Sequence, residues 1–177
     1  MQSIKTPPRT MMEVFKMLPE GTLAEIINGN LYMSPAPTPE HQRIIRMLTI
    51  AISSFVDNSN SGEVLFAPCD VFLDEHSNAV QPDIIFVSTE KKIIIREDAI
   101  HGIPDMLIEI LSTGNSDHDR IRKKNLYEKF GVREYWIVSP DTKETVGFFL
   151  KDGKYIASGR YIGKIYSILL HNTEFMF

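Results

Sequence analysis

A chain of 177 residues, 43% hydrophobic and 24% charged, has the size and make-up of one globular domain. Its net charge of −4 and pI near 5.7 exclude a protein that holds nucleic acid by bulk positive charge, so any such partner must rest on a local patch. The single cysteine, Cys69, excludes an internal disulfide and a thiolate metal cluster, and no apolar run approaches the roughly 18 residues of a membrane helix. The segment Met1 to Pro8 carries one lysine but no apolar core, so it does not read as a signal peptide, and the expectation is a cytoplasmic domain spanning residues 1–177.

In chain order, Met11, Met12, Val14, Phe15, Met17 and Leu18 stand at near-helical spacing, with Thr10 as N-cap and Pro19 as the stop. Residues 23–33 read as a hairpin around Asn28-Gly29, with Glu25 on its first strand. Pro35, Pro37 and Pro39 stiffen a connector, and Thr38-Pro39-Glu40 opens a helix expected to run to about Asp57. Its apolar positions Ile44, Ile45, Leu48, Ala51, Ile52, Phe55 and Val56 form one stripe. Strands are expected at 63–67, 70–73 and 83–87, with a turn at 74–78. Residues 88–104 read as a loop with a helical turn, followed by a strand from Met106 to Leu111. A break at 112–116 leads to a helix over 117–130, Gly131 stops it, and Glu134 to Val138 is another strand. That strand, helix and strand order predicts a parallel crossover unit. Residues 145–150, 154–157 and 161–170 are expected to close the domain as strands, with Tyr135 and Trp136 in its core.

Two acids interrupt this pattern: Asp83 opens Asp83-Ile84-Ile85-Phe86-Val87, and Glu109 lies within Asp105-Met106-Leu107-Ile108-Glu109-Ile110-Leu111. An ionised carboxylate in an apolar strand is costly unless it is paired, hydrogen-bonded or bound to a cation. A shared divalent metal would satisfy both acids; the alternative is that each ends its strand at the sheet edge in water. On the helix over 117–130, with Lys123 set at zero, Leu126, Phe130 and Tyr127 fall at about 300°, 340° and 40°, and Asp119 at about 320°. Lys123 therefore lies in the middle of the apolar face, whereas Arg122, Lys124 and Lys129 point elsewhere. It either aims at the acidic strands or snorkels and pairs with Asp119. Two carboxylates holding Mg²⁺ and a lysine that positions water are the parts required for phosphodiester cleavage.

Pro82-Asp83, then Glu109 in an apolar strand, then a lysine, resembles the PD-(D/E)xK nuclease superfamily. Leu111 stands where the superfamily usually has its lysine, and Lys123 would be a lysine migrated to the next helix. A longer ordered set is similar to the Uma-two (Uma2) branch of restriction-endonuclease-like proteins. The set comprises Glu25 to Pro35, His41 at a helix start, Gln81-Pro82-Asp83, Ile108 to Ser112, Asp119 with Lys123 and Tyr127, and Gly131 to Pro140. The resemblance implies an α/β (α+β) core, a mixed sheet flanked by helices, with Glu25, Asp83, Glu109 and Lys123 at the site. Glu25 reads otherwise as a solvent-facing hairpin acid. Asp70 and His41 are outer candidates, whose alternatives are a strand-edge acid and an exposed or capping histidine.

The function expected is a Mg²⁺- or Mn²⁺-dependent DNA endonuclease, with Asp83 and Glu109 as metal ligands. The alternatives are a catalytically silent nucleic-acid-binding or assembly domain of the same fold and a non-nuclease hydrolase using the same acids. Nucleases that cut both strands commonly work in pairs, so a homodimer is expected.

Overall fold

The computed structural model describes residues 7–112 and 117–177, the side chains of 117–119 apart. Helix α1, Met11–Phe15, begins where Thr10 accepts the Glu13 N–H at 3.1 Å. It ends before the expected Leu18 because Met17 and Leu18 bond three residues back, to Val14 and Phe15, which tightens the last turn. Strands β1, Ala24–Ile27, and β2, Asn30–Met33, form the expected hairpin, with Asn28 and Gly29 at φ of 50° and 76°. Those positive values suit the twist of a two-residue turn. Helix α2, Pro39–Ser59, starts at the Thr38 cap and ends at Asn60, whose left-handed φ of 51° closes the last turn.

The next elements are β3, Gly62–Phe66; β4, Val71–Phe72; β5, Ala79–Val80; β6, Ile84–Ser88; β7, Ile100–His101; and β8, Met106–Ile110. A short 3₁₀ segment at Thr89–Ile94 is the helical turn expected in the loop. Helix α3, Asp117–Phe130, joins β8 to β9, Glu134–Val138, and these two strands pair in parallel. The chain closes with β10, Glu144–Lys151; β11, Lys154–Ile162; β12, Lys164–Ser167; and β13, Thr173–Met176. Strand β11 runs through the break expected after Ala157, because a register shift at Gly147/Phe148 lets Gly159 pair with Gly147. The two-residue strands β5 and β7 are too short to leave an alternation in sequence.

A mixed six-stranded sheet has the order β11-β10-β9-β8-β6-β3, and a five-stranded sheet the order β2-β1-β5-β4-β7. On one face of the larger sheet, Ile44, Leu48 and Ile52 of α2 pack on Ile84, Met106, Ile108 and Trp136. On the other face, Leu126 and Tyr127 of α3 join Ile85, Leu107, Tyr135 and Ile137. Each fully buried Ile or Leu contributes about 1.5–3 kcal/mol, so these two layers fix the strands and helices that carry the acids and the lysine. No helix among the described residues is long and apolar enough to cross a membrane.

Candidate active site at the junction of two sheets

The segment Gln81-Pro82-Asp83 is where the chain leaves β5 in the smaller sheet and enters β6 in the larger one. Proline fits there because neither ladder needs its missing N–H. Gln81 remains tied to the smaller sheet, since its N–H donates to Glu25 Oε1 at 2.8 Å and its side-chain Nε2 donates to Asp70 Oδ1 at 2.7 Å. Asp83 belongs to the larger sheet: its Oδ2 accepts the Ile110 N–H at 2.7 Å. Strands β6 and β8 are antiparallel with Ile84 opposite Ile108, and one step further the same register sets Asp83 opposite Glu109.

Lys123 crosses from α3 to meet both sheets. Its Nζ donates to Glu25 Oε1 at 2.9 Å and to Glu109 Oε1 at 3.0 Å. The helical phase that put Lys123 among Leu126 and Tyr127 is the phase observed. Tyr127, one turn on, donates its hydroxyl to the same Glu109 oxygen at 2.6 Å. All four charged residues are nearly enclosed, with exposures of 7% for Glu25, 9% for Asp83, 8% for Glu109 and 8% for Lys123. They line a cleft of about 210 Å³, together with His41, Gln81 and Ser112.

Three acids crowd one ammonium, and the crowding falls on Glu109. Burial pushes the Glu109 carboxyl up to about 8 even though Lys123 opposes it, and the neighbouring Glu25 and Asp83 charges add to the rise. Burial alone would lower the Lys123 pKa, but Glu109 and Glu25 outweigh it and hold the group well above its ordinary range. Lys123 is therefore an ammonium at neutral pH, able to donate hydrogen bonds and hold charge but not to take a proton. Tyr127, buried beside Glu109, is held as a neutral phenol.

His41 is buried rather than exposed. Its Nε2 lies 2.9 Å from the Ile110 carbonyl and 3.4 Å from Asp83 Oδ2. Burial opposes its charge, yet the Asp83 carboxylate and the Ile110 carbonyl raise its pKa overall. The sequence did hold a signal for this position, since His41 lies three and four residues before Ile44 and Ile45 and so belongs to the core-facing stripe of α2. Asp70 meets Gln81 rather than the acids, so it stands one residue removed from the cluster. Gln81, which links Glu25 to Asp70, is the residue that composition and periodicity did not single out. The Asp119 side chain, expected as an alternative partner of Lys123, lies outside the described residues.

Each acid uses one oxygen for the fold. The hydrogen bonds named above to Glu25 and Glu109 fall on Oε1 and the one to Asp83 on Oδ2, so the second oxygen of each carboxylate takes no part in them. Hard divalent cations prefer such oxygens. Among the described residues no three His, Cys, Asp or Glu side chains already surround one point, so an ion here would complete its shell with water or substrate oxygens. Mg²⁺ ordinarily binds in that way.

The fold and this acid-rich junction define a restriction-endonuclease-like protein. The chain belongs to the Uma2 family, whose model, described as "Putative restriction endonuclease", matches residues 12–161. It is also similar in fold to a crystal structure described as "a putative nuclease belonging to DUF820 from Anabaena variabilis", with a TM-score of 0.70 at 20% identity, over 85% of this chain and 84% of that one. No curated protein matches the chain.

Proposed function

We propose that this single-domain protein is a metal-dependent DNA endonuclease that hydrolyses phosphodiester bonds, with Asp83 and Glu109 as the metal ligands and Glu25 and Lys123 completing the catalytic group. The observation that carries the reading is the Lys123 ammonium held between Glu25 and Glu109, with Asp83 across the strand pair, at the floor of an open cleft. With its carboxyl raised to about 8, Glu109 keeps a proton at neutral pH, and a divalent ion bound by the second oxygens of Asp83 and Glu109 would displace that proton and balance three carboxylates together with Lys123. When bound, Mg²⁺ or Mn²⁺ supplies charge stabilisation to the phosphate under attack.

The chain's own groups do the rest. Lys123 stays charged, so it orients water or a phosphate oxygen by donation and stabilises negative charge as it develops. Glu25 holds the Lys123 Nζ in place from the smaller sheet and takes its own orientation from the Gln81 N–H. Tyr127 fixes the Glu109 carboxylate from the helix side through its Oε1.

The test is cleavage by purified protein. DNA should be nicked with Mg²⁺ or Mn²⁺ and left intact with EDTA, and Asp83→Asn, Glu109→Gln and Lys123→Ala should each remove cleavage while circular dichroism stays unchanged. Absence of metal-dependent cleavage of duplex, single-stranded and branched DNA would favour the silent binding domain. Cutting both strands of a duplex calls for two copies, so light scattering should give twice the 20.2 kDa chain mass; a monomer at tens of micromolar would contradict a dimer.

A further inference from the structure

Beside the acid cleft, and sharing Gln42 and Ala67 with it, lies a second groove of about 630 Å³ on the outer face of α2. Two large apolar side chains stand open there, Phe66 at 56% exposure and Ile50 at 58%. Arg43 and Arg46 flank them. Arg43 donates to Glu40, which Lys143 also meets, so that group carries two cations for one acid. Arg46 is exposed and has no ion-pair partner among the described residues. Phe66 is the last residue of β3, and the N–H of the following Ala67 donates to the Asp83 carbonyl at 3.0 Å. The open aromatic ring is thus anchored one residue from the backbone contact of a proposed metal ligand.

We infer that this groove holds single-stranded nucleic acid, with a base stacked on Phe66 and its phosphates against Arg46 and Arg43, and that the preferred substrate is therefore unpaired rather than duplex DNA. The inference rests on the nuclease reading above for its cleavage part, but not for its binding part. The charge of the groove selects an anionic occupant. The aromatic face selects one with a π-surface, and a base reaches such a face only when it is not stacked inside a duplex. The depth of the acids points the same way: at 7–9% exposure in a cleft of about 210 Å³, they are reached more readily by a flexible single strand than by a rigid duplex. The groove next to α1, which shares Gln81 with the cleft, carries Glu20, Asp70 and Asp98 against Lys16 and the Asp98-paired His101, so acids outnumber cations there and a phosphate chain is favoured over α2 instead.

Binding is measured by fluorescence anisotropy on the full chain in EDTA, with a labelled oligo-dT strand of about 20 nucleotides and a blunt duplex of equal length. The single strand should bind roughly tenfold or more tightly than the duplex. Phe66→Ala should lower single-strand affinity about tenfold and leave the duplex unchanged, since stacking supplies that order of affinity per base. Phe66→Trp should keep the affinity and show emission quenched by the oligonucleotide, and Arg46→Ala should reduce the salt slope by about 0.7 for one lost phosphate contact. Equal affinity for duplex, or single-strand affinity unaffected by Phe66→Ala, overturns the inference. A dimer that Phe66→Glu dissociates without changing oligonucleotide affinity also overturns it, because the groove would then seat a second copy. Single-strand binding without cleavage of any DNA would sustain the groove and sink the nuclease reading. Metal-dependent cleavage of duplex without single-strand preference would do the reverse.

Discussion

Two acids bracket strand β8, Asp105 just before it and Glu109 near its end, and the two differ in kind. Asp105 and Glu109 share a face of the strand about 13 Å apart, with Leu107 between them. Asp105 is fully buried yet fully answered. Its Oδ2 accepts the Ser88 N–H at 2.9 Å, and its Oδ1 meets Lys91 at 3.0 Å and Arg133 at 3.5 Å. Burial pushes its pKa up, but the Ser88 N–H and the Lys91 ammonium outweigh that and hold the group below the usual carboxylate range. At the other end, Glu109 shares its one ammonium with Glu25, stands near Asp83, and is pushed up to about 8. One end is a completed structural contact; the other crowds three acids around one ammonium, so that Glu109 keeps its proton up to pH about 8. Depth does not separate them, since both acids are buried; the sign and number of their partners do.

The largest expected contrast is in activity. Glu109→Gln should lower metal-dependent cleavage by roughly a thousandfold or more, whereas Asp105→Asn should leave the rate per folded molecule within about twofold. Equal losses at both ends, measured by single-turnover cleavage, would erase the distinction.

The next effect is on stability. Lys123→Met removes the ammonium held between Glu25 and Glu109 and should cost about 3–5 kcal/mol in urea unfolding at pH 7.5. Added Mn²⁺ should restore part of this, because a divalent ion can stand in for the lost charge. Asp105→Asn should cost less, about 1–3 kcal/mol, and Mn²⁺ should restore none of it.

The smallest effect is a difference in pH slope, and its sign is opposite at the two ends. Because the folded pKa of Glu109 is raised, the folded protein keeps a proton that the unfolded chain has released between pH about 4.5 and 8, so stability falls as pH rises through that window, by at most about 1.4 kcal/mol per unit. Glu109→Gln should flatten that slope in the metal-free protein. Asp105 has a lowered folded pKa, so its contribution is complete above its unfolded pKa and is lost as pH falls below about 4. Asp105→Asn should flatten only the acid limb of the stability curve, and a flattened slope above pH 5 would contradict the assignment.

Much of the architecture was legible in the chain. Asn28-Gly29 marked the hairpin, the Thr38-Pro39 start and the isoleucine stripe marked α2, and the helical phase aimed Lys123 inward, because each of these signals is local. The apolar-strand pattern paired Asp83 with Glu109, but that Glu25 joins them from the smaller sheet was not legible from spacing; only the ordered family resemblance added it. His41 shows a different failure. Its polarity argued for the surface, while its place in the α2 stripe argued for the core, and packing prevailed. The rule that an acid in an apolar strand marks a site would have selected Asp105 and also Glu134, whose oxygens are answered by the Trp136 indole N–H at 2.7 Å and the Leu169 N–H at 2.8 Å. Sequence shows where an acid is buried, but its partners, and hence its role, are set by distant segments.

Titration of the metal-free protein with Mn²⁺ at pH 8, followed by calorimetry, tests the central claim most directly. One saturable site with a Kd in the millimolar range or tighter is predicted for the native chain, lost in Asp83→Asn and retained in Asp105→Asn. Absence of saturable binding to the native chain, or unchanged binding in Asp83→Asn, would contradict a cation site at the junction of the two sheets.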